Sequence, residues 1–98
     1  MKYILILRPG DDKRIAENKK YFEEKTMQEL VDAYNREAKM GIVGVHSQAL
    51  HLLALRQEFI ERFLDCPIYI EDECILGLKG EVELVDGEVR RICDGETM

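Results

Sequence analysis

Four absences in this chain each close off a class of function. Its apolar stretches stay well short of the roughly 20 consecutive residues a membrane-spanning helix needs. The first of them, Ile4 to Leu7, is also too short for the core of a secretory signal. The three cysteines, Cys66, Cys74 and Cys93, show no close-paired C-x₂-C spacing, so no structural zinc site is expected. Gly41 and Gly44 belong to neither a Gly-Lys-Ser/Thr ending nor a GxGxxG pattern, which removes the phosphate loop and the dinucleotide fold. Basic residues do not gather: Lys13, Arg14, Lys19 and Lys20 alternate with Asp11, Asp12, Glu17, Glu23 and Glu24. With a net charge of −6 the chain would repel duplex nucleic acid, which must be neutralised to be bound. An odd number of cysteines and no signal ahead of the first strand point to reduced thiols and a cytoplasmic setting, with no membrane partner.

What is present is an ordinary globular composition, 46% hydrophobic and 35% charged. A chain of 98 residues is expected to form one domain, 1–98. Such a domain buries about 60–65% of its unfolded surface. Residues 2–8 read as a strand whose middle is continuously apolar, so both of its faces are expected to be covered. Pro9-Gly10 ends it. A first helix spans about 11–24, opened by Asp11 and Asp12, whose charges suit a helix N-terminus; its apolar contacts are Ile15, Ala16, Tyr21 and Phe22.

The second helix, about 26–40, carries a capping-box signature in Thr26 and Glu29 and a one-sided apolar face of Met27, Leu30, Val31, Tyr34 and Ala38. A glycine-flanked connector, Gly41 to Gly44, leads into the third, about 45–64. Apolar residues cover about 220° of this helix's circumference. Only Ser47, His51, Ala54, Glu58, Glu61 and Arg62 are left as a stripe for water. A helix so widely apolar is expected to be central, packed on more than one side.

After Cys66-Pro67 the period changes. Four short runs, 68–70, 75–78, 82–85 and 89–92, read as strands, joined by turns at Glu71-Asp72-Glu73 and Asp86-Gly87. Residues 94–98 read as a frayed tail. The expected class is α+β: an N-terminal strand, three helices, then a four-strand antiparallel meander, with the helices layered on a mostly antiparallel sheet.

Candidate chemistry is sparse. Arg56 falls about 180° from Ser47, in the middle of the apolar arc. A guanidinium there must pair with an acid, reach the core's edge, anchor a subunit interface or hold an anion. Gln57, Gln48 and Tyr34 are its expected neighbours in the ligand-holding case. His46 and His51 stand about 140° apart on the helix and do not share a face. His46 reads as part of the connector, and His51 as a solvated side chain. Cys66 cannot use His51 as a base, because an intact helix separates them by about 22 Å. The acidic turn 71–73 lacks the ligands and the glycine of a calcium loop. No cofactor or metal is expected.

The sequence therefore supports a non-enzymatic interaction module, expected to be a homodimer through the third helix or the first strand, with an acidic surface suited to a basic protein partner. The alternative is a small ligand-binding protein or enzyme in which Arg56 holds an anionic group.

Overall fold

Each change of hydrophobic period in the chain marks a change of element, and the elements form where those changes fall. A computed structural model describes residues 2–42, 45–63, 65–72 and 74–92. Gly44 of the connector, Leu64, Glu73, Cys93 and the expected tail 94–98 lie outside the described residues. The order is β1 (Lys2–Ile4), α1 (Asp11–Glu23), α2 (Met27–Met40), α3 (His46–Arg62), β2 (Ile68–Glu71), β3 (Ile75–Leu78), β4 (Val82–Val85) and β5 (Glu88–Arg91), an α+β arrangement with every strand pair antiparallel.

The capping box opens α2: the Thr26 amide donates to Glu29 Oε1 at 2.8 Å and the Glu29 amide to Thr26 Oγ1 at 3.1 Å. Leu30, Val31, Ala33, Tyr34 and Ala38 turn inward from α2. Helix α3 is buried around most of its N-terminal half, through Ala49, Leu50, Leu52, Leu53, Ala54 and Leu55. It packs chiefly on α1 and also on α2 and β2. The stripe expected to face water does so only in part: Ser47 and Glu61 are exposed and His51 and Arg62 half-buried. Ala54 is fully buried and Glu58 is 3% exposed, because this side of α3 meets α1.

Helices α1 and α3 run parallel. Asp11 meets His46 at their starts, and Arg62 reaches the α1 C-terminus at the other end. There Arg62 Nη2 donates to the Glu23 carbonyl at 2.8 Å and Nη1 to the Lys25 carbonyl, which satisfies acceptors left over by the helix end. Glu58 Oε2 orients this guanidinium at 2.6 Å from Nε, while Glu58 Oε1 faces Lys19 Nζ at 3.3 Å. A buried carboxylate needs such partners, since it would otherwise lose hydration without compensation.

The strands differ from expectation in two ways. The first strand is an edge strand of three residues, not a covered interior one: the sheet order is β1-β3-β2. One further backbone bond, from Leu5 N to the Cys74 carbonyl, extends it before the chain leaves the sheet. Side chains alternate along it, so Tyr3 and Leu5 pack against the core while Ile4 and Ile6 point away and are 67% and 69% exposed. Only half of the apolar run is used by the fold.

The meander is also interrupted. Strands β2 and β3 pair through Ile68↔Leu78 to Glu71↔Ile75, and β4 and β5 form a separate hairpin. Gly80, at φ 98, lies between β3 and β4, where the chain turns out of the first sheet. The hairpin turn at Asp86-Gly87 has φ of 53 and 80, the left-handed pair that suits a two-residue hairpin.

What holds the second hairpin is a side chain imitating a strand. Asn35 on α2 donates from Nδ2 to the Val82 carbonyl at 2.6 Å and accepts the Val82 amide at 2.8 Å. Tyr34 donates its hydroxyl to the Gly80 carbonyl at 2.6 Å beside it. Replacing Asn35 by alanine leaves both polar groups of buried Val82 unpaired. Asn35→Ala should therefore cost about 2 kcal/mol in urea unfolding, from two lost bonds and their desolvation. A loss below about 0.5 kcal/mol, the range of ordinary surface changes, would show that the hairpin is held by packing alone.

Candidate functional site

The four residues expected to work together are not gathered. Tyr34 is a core residue, its ring 5.9 Å from that of Phe59, and burial pushes its hydroxyl up to about 12. Gln48 joins α3 to the end of α2 through Nε2, at 3.1 Å from Glu37 Oε1 and 3.0 Å from the Gly41 carbonyl. Gln57 is exposed and lines a hollow beside α1. Arg56 is half-buried, makes no ion pair among the described residues, and leaves its Nε buried without a hydrogen-bond partner. Eight residues separate Gln48 from Arg56, about 12 Å along the helix. Neither Arg56 nor Tyr34 lines the hollows beside α1, between α1 and α2, at the α2 C-terminus or at the helix starts.

The cluster the structure does build joins the start of α1, the start of α3 and β1. Gly10, at φ 92, turns the chain after Pro9 so that Asp11 folds back on the preceding loop. The Arg8 amide donates to Asp11 Oδ2 at 2.7 Å. The same oxygen lies 2.9 Å from His46 Nε2. Tyr3, inward on β1, brings its hydroxyl to 3.4 Å from His46 Nδ1.

The Arg8 amide is the main cause holding the Asp11 carboxyl below its ordinary value. Burial works against it, and the His46 bond adds to it. A carboxylate can only accept, so in the neutral ring Nε2 carries the proton and Nδ1 turns its lone pair to the Tyr3 hydroxyl. Both ring nitrogens are engaged. The imidazole is held in place, with neither nitrogen free to attack a substrate.

Beside this relay lies a hollow of about 460 Å³ lined by Arg8, Gly10, Asp11, Arg14, His46 and Ser47, among others. Sequence reasoning took Asp11 as a charge at a helix N-terminus and His46 as connector, and did not single out Tyr3. Asp11 and His46 are each legible as residues of a helix's first turn. Their meeting depends on the parallel packing of α1 and α3, which no local pattern encodes.

The other histidine also departs from expectation. His51 is half-buried, with its ring edge-on to Phe22 at 4.9 Å, and burial pulls its imidazole below the ordinary value. It lines a second hollow of about 310 Å³ where Lys25 and Arg36 are matched by Glu29 and Asp32. Burial likewise pushes the half-buried Cys66 thiol up, and its Sγ sits 3.3 Å from the Ile68 carbonyl. An apolar, partly covered thiol of this kind packs as a small hydrophobe.

Among the described residues no group of three or more histidine, cysteine or acidic side chains could hold a metal ion, and no helix is long and apolar enough to cross a membrane. No family model, curated protein or solved structure matches the chain.

The Asp11 geometry has a consequence in acid. Its folded pKa lies below the unfolded value of about 3.9, so its contribution to stability is fully present above that value and is lost as pH falls through the folded one. Asp11→Asn should be less stable than the parent at neutral pH, and the difference in melting temperature should close on acidification below about pH 4. A difference independent of pH would mean that the carboxylate's charge is not what joins the helix starts.

Proposed function

We propose that this chain is a non-enzymatic interaction module that pairs with a second copy of itself through the free edge of β1. The observation that carries the reading is the edge position of β1, which pairs on one side only among the described residues, with Ile4 and Ile6 turned outward beside the exposed Leu7. Isolated exposed aliphatic residues are ordinary, but three within four positions, at the end of an edge strand and in the segment just after it, add an apolar patch to a backbone template for pairing. An antiparallel edge is complementary to itself about a two-fold axis, the commonest symmetry of small oligomers. Two copies would then share one six-stranded sheet.

Helix α3 no longer argues for a partner, because its apolar girdle is covered within one chain. The patch around β1 is small, on the order of 300 Å² per copy, so the association should be weak and concentration-dependent. We place the protein in the cytoplasm, where Cys66 and Cys74 stay free thiols. The acidic net charge leaves room for a basic protein on another face.

Sedimentation equilibrium over a wide concentration range tests the reading. The wild-type chain should move toward twice its monomer mass as concentration rises, while Ile6→Lys should stay monomeric with an unchanged circular dichroism spectrum. Ile6 is exposed, so the substitution does not touch the core. A wild-type chain that remains monomeric into the millimolar range would overturn the proposal.

A further inference from the structure

Charge sets the hollow at the helix starts apart from three others on the surface. In the hollow between the α1 and α2 side chains Lys25 and Arg36 face Glu29 and Asp32. Along α1, Lys13, Lys19 and Lys20 face Asp12, Glu17 and Glu23. Near the α2 C-terminus the formal charge is that of Glu37. At the Asp11–His46 end, Arg8 and Arg14 face Asp11 alone. In a chain of net charge −6 this concavity carries an excess of positive charge even with His46 neutral.

The arrangement of those charges matters as much as their number. Asp11 is 8% exposed and turns its carboxylate to the Arg8 amide and to His46. Arg8 and Arg14 are exposed at the rim, and neither side chain has a hydrogen bond or ion pair among the described residues. Arg14 stands three residues after Asp11 on the same face of α1, and Ser47 adds a hydroxyl from α3. The anion at the floor is thus turned toward the Arg8 amide and His46, while the two guanidinium groups stay exposed at the rim, where Arg8 adds a minor coulombic pull on Asp11.

We propose that this hollow binds the phosphate group of a small molecule, gripped by the Arg8 and Arg14 guanidinium groups with the Ser47 hydroxyl as a third donor. Donors that come from a loop and from two helices converge from different directions. A carboxylate offers two oxygens in one plane, whereas a phosphate group offers three or four in a tetrahedron and can meet all of them. His46 acts as a positioning residue: fixed by Asp11 and Tyr3, it sets one wall of the hollow. The site binds without reacting, because neither ring nitrogen is free. It is independent of any pairing through β1.

A ¹H–¹⁵N NMR titration at constant ionic strength, with inorganic phosphate, glycerol phosphate and acetate as separate probes, tests this site. Phosphate should give saturating shifts confined to the amides around residues 8–14 and 46–48, with acetate clearly weaker. Tighter binding of glycerol phosphate would identify an ester as the source, and tighter binding of inorganic phosphate the free ion; both support the site. Arg14→Ala and Arg8→Ala should each weaken binding roughly tenfold. Arg56→Ala should leave it unchanged. Because Arg8 and Arg14 are exposed, their variants keep the parent spectrum elsewhere and remain readable. Shifts that rise without saturation, or an affinity that both arginine variants leave intact, would overturn the proposal.

Discussion

The structure depends on keeping α3 dry. A helix apolar around most of its circumference must be enclosed, and a chain of this size has few elements with which to enclose it. Helix α1 covers one side, α2 another, and β2 approaches a third. The three-stranded sheet lends its inner face through Ile68, Leu76 and Leu78, with Tyr3, Leu5 and Ile70 at its margin. Everything else in the molecule is arranged around that enclosure. The β4–β5 hairpin, held to α2 by Asn35, extends the cover through Val82 and Val89 rather than continuing the sheet.

Enclosing α3 brings its polar residues inside with it, and their pairing sets how α1 lies. Helix α1 has weak apolar patterning, with Ile15 and Phe22 as its buried hydrophobic residues. Such a helix could slide along its partner at little cost in burial. It is fixed at both ends by directional bonds instead. At the C-terminal end Glu58 and Arg62 hold Lys19 and the last carbonyls of α1, and the hydrogen bonds that Lys19 donates to Glu61, Glu23 and Glu58 keep its ammonium charged well above its usual range. At the N-terminal end Asp11 meets His46. A shift by one turn, about 5.4 Å, would break both sets. The polar bridges thus supply register where hydrophobic contact supplies affinity, and a buried charge cluster is better suited to the first role than the second.

This division explains what could be read from the sequence. Element order, the three helix spans, the capping box and the Asp86-Gly87 turn are local properties, each written within a few adjacent residues. The breadth of the α3 arc was legible too, and with it the central place of that helix. What remained hidden is relational. Ile4 and Ile6 belong to the same apolar run as Tyr3 and Leu5, and only the position of β1 at the sheet edge decides that half of them face outward. Glu58 looks like a solvent residue on an isolated wheel, until α1 brings Lys19 against it. Arg56 drew notice because its wheel position is apolar, but the C-terminal half of α3 is open on that side, where Ile60 is also exposed. The Asp11–His46 pair spans 35 positions and joins two helix starts that are unrelated in sequence.

The two surfaces left over follow from the same enclosure. Because α3 takes up the inner face of the small sheet, the outer side of β1 is left with Ile4 and Ile6 and a backbone edge that no described residue pairs. Because α1 and α3 run parallel, both begin at one end of the molecule, and the residues that start them define a concavity there. On the strand the uncovered groups are apolar and extended, suited to shape and backbone pairing. At the helix starts they are cationic and convergent, suited to a compact anion. Packing around a helix enclosed over its N-terminal half thus leaves a small domain with one apolar edge and one basic hollow. They need not be coupled, since the strand edge and the arginine rim share no bonding group. Tyr3 links them through its side chain: its backbone belongs to β1, while its hydroxyl faces His46. Any change at the edge that moves Tyr3 would be felt first in the orientation of that imidazole.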